Sequence, residues 1–171
     1  HLERYCADIP QSAFDLARAC WPGPLTMILK RRPIVPDVVT AGMDTVGMRC
    51  PSHPVCRAIL QAAEVPVAAP SGNTSGRPSP TTAAHMAEDM EGRIDAIVDG
   101  GPCSVGVEST IVDLTETPPR LLRPGGITLE QLESVLGRVE VDQAVTRLMS
   151  AGEKPRAPGM KYRHYAPKAP V

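Results

Sequence analysis

Small hydroxyl and amide side chains occur in two short segments near the middle of the chain, each next to an apolar run that predicts a buried strand. Pro70–Asn73 follows the run Val65–Ala69, and Gly106–Thr110 precedes the next such run. The ends of strands are where α/β sheets bind their ligands. A third segment, Leu121–Gly125, adds the guanidinium of Arg123, whose fork of donors matches phosphate or carboxylate oxygens. Together the three segments predict a site for an anionic, nucleotide-like ligand.

The side chains of the first segment can donate hydrogen bonds to phosphate oxygens or to a nucleotide sugar. Ser71 and Asn73 supply a hydroxyl and a carboxamide, and Gly72 between them is expected to let the backbone approach a ligand with no Cβ in the way. An ordinary polar turn is the alternative interpretation, because Ser, Gly and Asn all form turns. Arg49 ends another predicted strand, where its guanidinium could clamp a carboxylate.

Ser109 and Thr110 open a predicted strand together with Glu108, so three consecutive side chains can form hydrogen bonds. That arrangement is expected where something polar lies opposite, and a cap at the start of the strand is the alternative. For Arg123 the alternative is a salt bridge at the surface, which is the commoner fate of an arginine.

Composition limits the class of protein. With 171 residues, 42% hydrophobic and 22% charged, the chain is expected to form one domain with a real core. A net charge of −1 and an aromatic content of 3% give no general attraction to nucleic acid and few stacking surfaces. No apolar run reaches the roughly 18 residues that a membrane span requires. The five cysteines lack a Cys-x-x-Cys pair, so we expect no metal site and small buried thiols in a reducing cytoplasm.

Apolar periodicity and turn residues predict an α/β fold. The predicted helices are Pro10–Cys20, Pro54–Ala63 with an inward apolar face, a helix capped by Ser79 or Thr81 that runs to Met90, and one capped by Thr128 that runs to Leu136. The predicted strands are Leu25–Leu29, Thr45–Arg49, Val65–Ala69, Ala96–Val98, Ser109–Leu114 and Arg120–Leu122. Val65–Ala69 is apolar throughout, as is typical of a central strand that is buried on both faces.

Six short motifs occur in an order that is typical of one family, and a C-terminal segment, Ala157–Pro167, matches a linker found in its longer members. The motifs are Trp21-Pro22-Gly23-Pro24-Leu25-Thr26, Arg49-Cys50-Pro51 with His53-Pro54, Ala69-Pro70-Ser71-Gly72-Asn73, Asp99-Gly100-Gly101, Gly106-Val107-Glu108-Ser109-Thr110 and Leu122-Arg123-Pro124-Gly125. The chain therefore resembles the YrdC/Sua5 family of L-threonylcarbamoyladenylate synthases, from about Ile9 to its C-terminus.

The resemblance implies a YrdC-like fold, a twisted open mixed sheet flanked by helices, with a C-terminal linker. It implies a catalytic domain over residues 1–145 and, over residues 146–171, a linker toward a Sua5 domain outside this sequence. Family members carry a Pro-Thr-Glu-Thr-like turn and a Lys-x-Arg-Pro run before the matching region. The chain is therefore predicted to be a part of a synthase whose catalytic domain begins earlier.

By resemblance, the reaction joins L-threonine, bicarbonate and ATP into threonylcarbamoyl-AMP, with release of pyrophosphate. Mg²⁺ is expected with the ATP phosphates, and tRNA is an indirect partner through a downstream transferase complex. No residue is singled out as an acid or a base, and Ser109 and Thr110 are expected to position the substrates. The resemblance implies nucleotide contacts from Ser71, Asn73, Ser109 and Arg123, threonine contacts from His1, Arg49 and Thr110, and a lid that includes Tyr162, His164 and Tyr165.

Two other functions stay open from the sequence. The first is a non-catalytic RNA-binding or regulatory module with the same fold, since Lys161–Tyr165 is a basic and aromatic cluster. The second is a relative that makes a different carbamoyl-adenylate, and the Sua5-type tail argues against it.

Overall fold

A computed structural model describes residues 2–74 and 77–146 of the chain. The helices of this part are α1 (Leu2–Tyr5), α2 (Gln11–Cys20), α3 (Asp37–Thr40), α4 (Pro54–Ala63), α5 (Ala83–Met90), α6 (Leu129–Leu136) and α7 (Gln143–Thr146). The strands are β1 (Leu25–Lys30), β2 (Thr45–Arg49), β3 (Thr110–Asp113), β4 (Arg120–Arg123) and β5 (Glu140–Val141).

The strands form one mixed sheet in the order β2-β1-β3-β4-β5. β1 pairs antiparallel with β2 and parallel with β3, while β4 pairs antiparallel with β3 and parallel with β5. Helices flank this sheet, so the predicted α/β class and the mixed open sheet are confirmed.

The main core lies between one face of the sheet and the helices α2 and α6. Leu25, Met27 and Leu29 occupy alternate positions of β1 and are buried there, because the two-residue period of a strand sends them to the same face. Leu16 of α2 and Leu132 of α6 pack against them. The opposite face carries a smaller buried cluster of Ile28, Ile111 and Leu122. The strands that carry the candidate site are therefore anchored on both faces.

The predicted start of α6 is confirmed, and that of α5 is not. The Thr128 hydroxyl accepts a hydrogen bond from the Gln131 amide at 3.2 Å, and the Gln131 side chain accepts one from the Thr128 amide at 2.9 Å. This reciprocal pair is a capping box. At α5 the cap is Thr82, whose hydroxyl accepts from the His85 amide at 3.2 Å, and not the predicted Ser79 or Thr81.

Two predicted strands are absent from the sheet. Val65–Ala69 and Ala96–Val98 have no regular secondary structure and no strand partner among the described residues. Val65 and Val67 are 59% and 55% exposed, so the prediction of a strand buried on both faces is wrong. An apolar run becomes a strand only where another strand pairs with its backbone, and no described segment does so here.

The predicted inward face of α4 is also exposed. The helix spans the predicted residues, but Val55 and Ile59 remain 38% and 46% exposed. Together with the two unpaired segments, α4 leaves a set of large apolar side chains in contact with water. An exposed apolar area of this kind marks an interaction surface.

The cysteines are free and differ in burial. Cys6 is fully buried, whereas Cys56 and Cys103 are exposed, so the prediction of buried thiols holds for Cys6 and is wrong for those two. In residues 2–74 and 77–146, none of the helices has the length and apolar character that a bilayer crossing requires.

Candidate functional site

The candidate site lies at the edge of the sheet where β2 and β4 end and where β1 and β3 begin. Residues in register across the four strands meet there: Arg49 lies opposite Thr26, Thr26 opposite Ile111, and Ile111 opposite Arg123. Arg49 and Arg123 are each the last residue of a strand. This position was predicted for Arg49, whereas the strand predicted over Arg120–Leu122 ended one residue before Arg123. Ser109 immediately precedes β3, so it lies at the amino end of its strand, because β3 runs opposite to β2 and β4.

Ser109 is the centre of the hydrogen bonds at this edge. Its Oγ lies 2.9 Å from the Thr26 Oγ1 and accepts a hydrogen bond from the Arg123 Nη2 at 3.1 Å. Its carbonyl oxygen accepts two further bonds from Arg123, from Nη2 at 2.9 Å and from Nε at 3.1 Å. Ser109 is 7% exposed, and these contacts fix its side chain at this edge of the sheet.

Two guanidinium groups and one carboxylate set the electrostatics of the site. Burial lowers the pKa of Arg123; the Glu108 carboxylate opposes that shift and the positive charge of Arg49 adds to it. Glu108 accepts a hydrogen bond from the Ser79 hydroxyl at 2.9 Å, which orients its carboxylate. Arg123 remains charged at neutral pH, because the ordinary pKa of an arginine lies far above neutrality. The edge therefore suits an anionic group, either a phosphate or a carboxylate.

Thr110 has no exposed surface, and its hydroxyl is engaged on the backbone of Ile127. Thr110 Oγ1 donates to the Ile127 carbonyl at 2.6 Å and accepts from the Ile127 amide at 2.9 Å. Its own amide donates to the Pro24 carbonyl at 2.9 Å. In this structure Thr110 holds the segment before α6 against the start of β3, and a direct contact with threonine stays a prediction.

Gly125 lets that segment approach the site closely. A Cβ on Gly125 would lie 2.3 Å from the Glu108 carbonyl oxygen and 2.6 Å from the Thr110 amide nitrogen, both of which are backbone atoms. The neighbouring Gly126 amide donates to the same Glu108 carbonyl at 3.0 Å. The Pro-Gly-Gly turn after β4 therefore fixes the backbone on which Glu108 and Ser109 stand.

Among the described residues, the segment Pro70–Asn73 forms no hydrogen bond with Ser109. The Asn73 Nδ2 donates to the carbonyl oxygens of Thr74 and Arg77, at 3.1 and 2.9 Å. Both protons are thus used within the loop, and a contact between Asn73 and a nucleotide stays a prediction. Its Oδ1 is buried with no partner among the described residues, so this atom could accept from a hydroxyl or an amine.

Gly72 serves packing rather than ligand approach. A Cβ on Gly72 would lie 2.2 Å from the Met86 sulfur, so the side chain of α5 fills the space that was predicted to admit a ligand. Ser71 is exposed, as a ligand contact requires. Asp89 of α5 holds the loop through the Thr74 amide at 3.1 Å and an ion pair with Arg77.

Several predicted residues lie outside the described part of the chain. These are His1, Tyr162, His164 and Tyr165. Within the described residues, no group of three or more His, Cys, Asp or Glu side chains converges as metal ligands.

Sequence reasoning missed two partners in the site. It gave Thr26 no role and treated Ser79 only as a helix cap, whereas the structure places them against Ser109 and Glu108 respectively. For Thr26 a signal exists, because it is the one hydroxyl within the apolar run of β1. For Ser79 the partner is 29 residues away, and no local pattern identifies it.

The fold and the site define an α/β domain with two arginines, Arg49 and Arg123, at one edge of a mixed sheet. The family model named Sua5/YciO/YrdC, described as "Telomere recombination", matches residues 1–125, and a model for the threonylcarbamoyl-AMP synthase C-terminal domain matches residues 127–171. The chain belongs to the Sua5/YrdC family, and the predicted resemblance is confirmed.

Relatives with known names support the same family. A threonylcarbamoyl-AMP synthase of Pyrococcus abyssi is 51% identical over 99% of this chain and 49% of the relative, and one of Bacillus subtilis is 50% identical over the same shares. The structure of P. abyssi Sua5 complexed with L-threonine superposes with a TM-score of 0.92, at 50% identity, over 98% of this chain and 49% of that one. Escherichia coli YciO superposes with a TM-score of 0.65, at 28% identity, over 73% and 61%. The chain thus spans about half the length of the Sua5 relatives.

Proposed function

We propose that this chain is part of an L-threonylcarbamoyladenylate synthase, which forms threonylcarbamoyl-AMP and pyrophosphate from L-threonine, bicarbonate and ATP. The observation that supports this proposal most is the cluster at the sheet edge, where Arg123 holds Ser109 and Arg49 lies in register nearby. Such a site binds anions and contains no paired nucleophile and base. The names of the relatives and the threonine complex of P. abyssi Sua5 point to the same reaction.

The proposed chemistry asks the protein mainly for positioning and charge neutralisation. The amine of threonine gives a carbamate with carbon dioxide or bicarbonate, and a carbamate oxygen attacks the α-phosphorus of ATP in line as pyrophosphate leaves. Charge then develops on phosphate oxygens, where fixed cationic donors stabilise it. We assign Arg123 and Ser109 to the nucleotide and Arg49 to the threonine carboxylate. Mg²⁺ would arrive with ATP, held mainly by the phosphates and water.

We also assign Asn73 and Ser71 to the nucleotide, but Asn73 would accept a hydrogen bond from it rather than donate one. Because its amide protons are used on Thr74 and Arg77, its buried Oδ1 is the atom left for a ligand. An acceptor suits the hydroxyls of ribose or the amine of adenine rather than a phosphate. Ser71, which is exposed, keeps its hydroxyl for either group.

We further propose that residues 1–145 are one part of the catalytic domain and that protein outside this sequence covers the apolar surface formed by α4, Val65–Ala69 and Ala96–Val98. The support is the exposure of these segments, with Val98 at 63%, and the twofold greater length of the relatives. Val65–Ala69 and Ala96–Val98 have no strand partner among the described residues, so their backbone N–H and C=O groups are available to strands from the rest of the protein. Residues 146–171 would connect this domain to a second domain. The whole protein would act in the cytoplasm and supply threonylcarbamoyl-AMP to a tRNA-modifying transferase.

A nucleotide-turnover assay tests the proposed reaction. The full-length protein that contains this chain is expected to release pyrophosphate from ATP only when both L-threonine and bicarbonate are present. Serine, which lacks the threonine methyl group, is the matched control substrate and should work less well. Equal pyrophosphate release without threonine would overturn the assignment, and binding of tRNA with no turnover would favour the RNA-binding alternative.

Hydrogen exchange tests the covered surface. The amides of Val65–Ala69 are expected to exchange slowly in the full-length protein and rapidly in the 171-residue chain, because added strands would occupy them. Exchange at Thr26–Ile28, which is paired with β2 on one side and β3 on the other, should be slow in both and serves as the control. Rapid exchange of Val65–Ala69 in the full-length protein would contradict the proposal.

A further inference from the structure

Thr26 forms a side-chain contact with Ser109 that the proposed roles leave unexplained. The two hydroxyl oxygens are 2.9 Å apart, although 83 residues separate them in sequence. The contact joins Thr26, the second residue of β1, to the residue before β3. Either hydroxyl could be the donor, and the direction decides what Ser109 can offer a ligand.

The donors and acceptors around Ser109 allow two arrangements, and an anionic ligand selects between them. A hydroxyl has one proton and two acceptor positions. The Arg123 guanidinium has no acceptor, so it must donate to the Ser109 Oγ and fills one position. If Ser109 donated to Thr26, its single proton would be used, and it would present only a lone pair to the cleft. The proton of Thr26 would then have no acceptor among the described residues.

In the opposite direction the Ser109 proton is the one left without a protein acceptor among the described residues. Thr26 donates to Ser109, both acceptor positions of the Ser109 Oγ are filled, and the Ser109 proton is left to point away from Thr26 and Arg123. The charges of Arg123 and Arg49 attract an anion to this edge, and an anion requires a donor. A ligand phosphate or carboxylate would therefore take that proton.

We propose that Thr26 is a positioning residue that donates to the Ser109 Oγ and so makes Ser109 an obligatory hydrogen-bond donor to the anionic ligand. The inference rests on the proposed function for the anionic ligand, which decides the direction of the bond, and on the 2.9 Å contact between the two hydroxyls for the role of Thr26. Thr26 itself need not touch the ligand, because it acts through Ser109.

A double-mutant cycle in the full-length protein tests this inference. Thr26→Val keeps the branched shape of the side chain and removes the hydroxyl, and we expect about a tenfold loss in kcat/KM, the worth of one hydrogen bond. Thr26→Ser should stay within about twofold of the wild type because it keeps the donor. In a Ser109→Ala background, Thr26→Val should cost nothing more, since the group through which Thr26 acts is gone.

A control variant and a binding measurement complete the experiment. Thr40→Val is the matched control, because Thr40 is a buried threonine that donates to the Met43 carbonyl far from the site and should leave kcat/KM unchanged. AMP binding, measured by calorimetry, should weaken by about the same factor in Thr26→Val. It gives a readout even if the protein fails to make the adenylate, so failure of the proposed function and failure of this inference are distinguishable.

Two results would overturn the inference. Unchanged or tighter AMP binding by Thr26→Val would mean that Ser109 donates to Thr26, because loss of that acceptor would free the Ser109 proton. An equal loss in the wild-type and Ser109→Ala backgrounds would mean that Thr26 acts on the fold and not through Ser109. Thermal unfolding of each variant, compared with Thr26→Ser, identifies a folding defect.

Discussion

Replacement of Thr110 by valine should destabilise the protein through two hydrogen bonds that meet at one hydroxyl. The Thr110 Oγ1 donates to the Ile127 carbonyl at 2.6 Å and accepts from the Ile127 amide at 2.9 Å, and the residue has no exposed surface. Valine has the same shape and neither function. Each backbone group of Ile127 left without a partner costs about 1–3 kcal/mol, so we expect a loss of about 2–5 kcal/mol in the free energy of unfolding.

Urea unfolding provides the assay, followed by the fluorescence of Trp21, the single tryptophan of the chain. Thr110→Ser keeps both hydrogen bonds and should recover most of the loss. Thr40→Val removes the hydrogen bond that the Thr40 hydroxyl donates to the Met43 carbonyl. It is the reference for a single lost bond and should cost about 1 kcal/mol. Hydrogen exchange of the Ile127 amide should accelerate in Thr110→Val alone. A loss below about 0.5 kcal/mol would refute the assignment of the two bonds, since that is the range of an ordinary surface substitution.

Two further substitutions test the site and the core. Gly125→Ala should lower both stability and adenylate synthesis, because its Cβ would lie 2.3 Å from the Glu108 carbonyl oxygen. Gly106→Ala has open space around its Cβ and should be tolerated. Equal effects of the two substitutions would contradict this prediction. Burial raises the pKa of Cys6, so the folded protein keeps the thiol protonated after the unfolded chain has begun to ionise near pH 8.5. Its stabilising contribution is therefore complete below that pH and declines as pH rises toward the folded pKa. Unfolding free energies at pH 8 and 9.5 should fall less in Cys6→Ala than in the wild type, and parallel declines would disprove the effect.

Local patterns predicted the elements whose stability is decided locally. α4 and β2 have the predicted bounds, and the cap of α6 is the predicted Thr128, because turn residues and a reciprocal cap lie within a few positions of the element. The position of Arg49 at the end of β2 followed from the same reasoning. These features depend on neighbours in sequence, which a single chain displays.

Features that depend on distant partners could not be predicted in the same way. Val65–Ala69 has the composition of a central strand, yet pairing requires a second strand at the correct distance, and none is present among the described residues. The direction of the Thr110 hydroxyl depends on Ile127, 17 residues away, and that of Ser109 on Thr26, 83 residues away. The motifs predicted which side chains form the site, but only the fold places Thr26 beside Ser109.

The central claim is that the anion-binding edge around Ser109 serves the synthesis of threonylcarbamoyl-AMP. The most direct measurement is mass spectrometry of the products after the full-length protein is incubated with ATP, L-threonine and ¹³C-labelled bicarbonate. The account predicts an adenylate that carries both threonine and one labelled carbon, and much less of it from Ser109→Ala. Formation of AMP or ADP without a labelled threonine adduct, or the same yield from Ser109→Ala, would contradict the account.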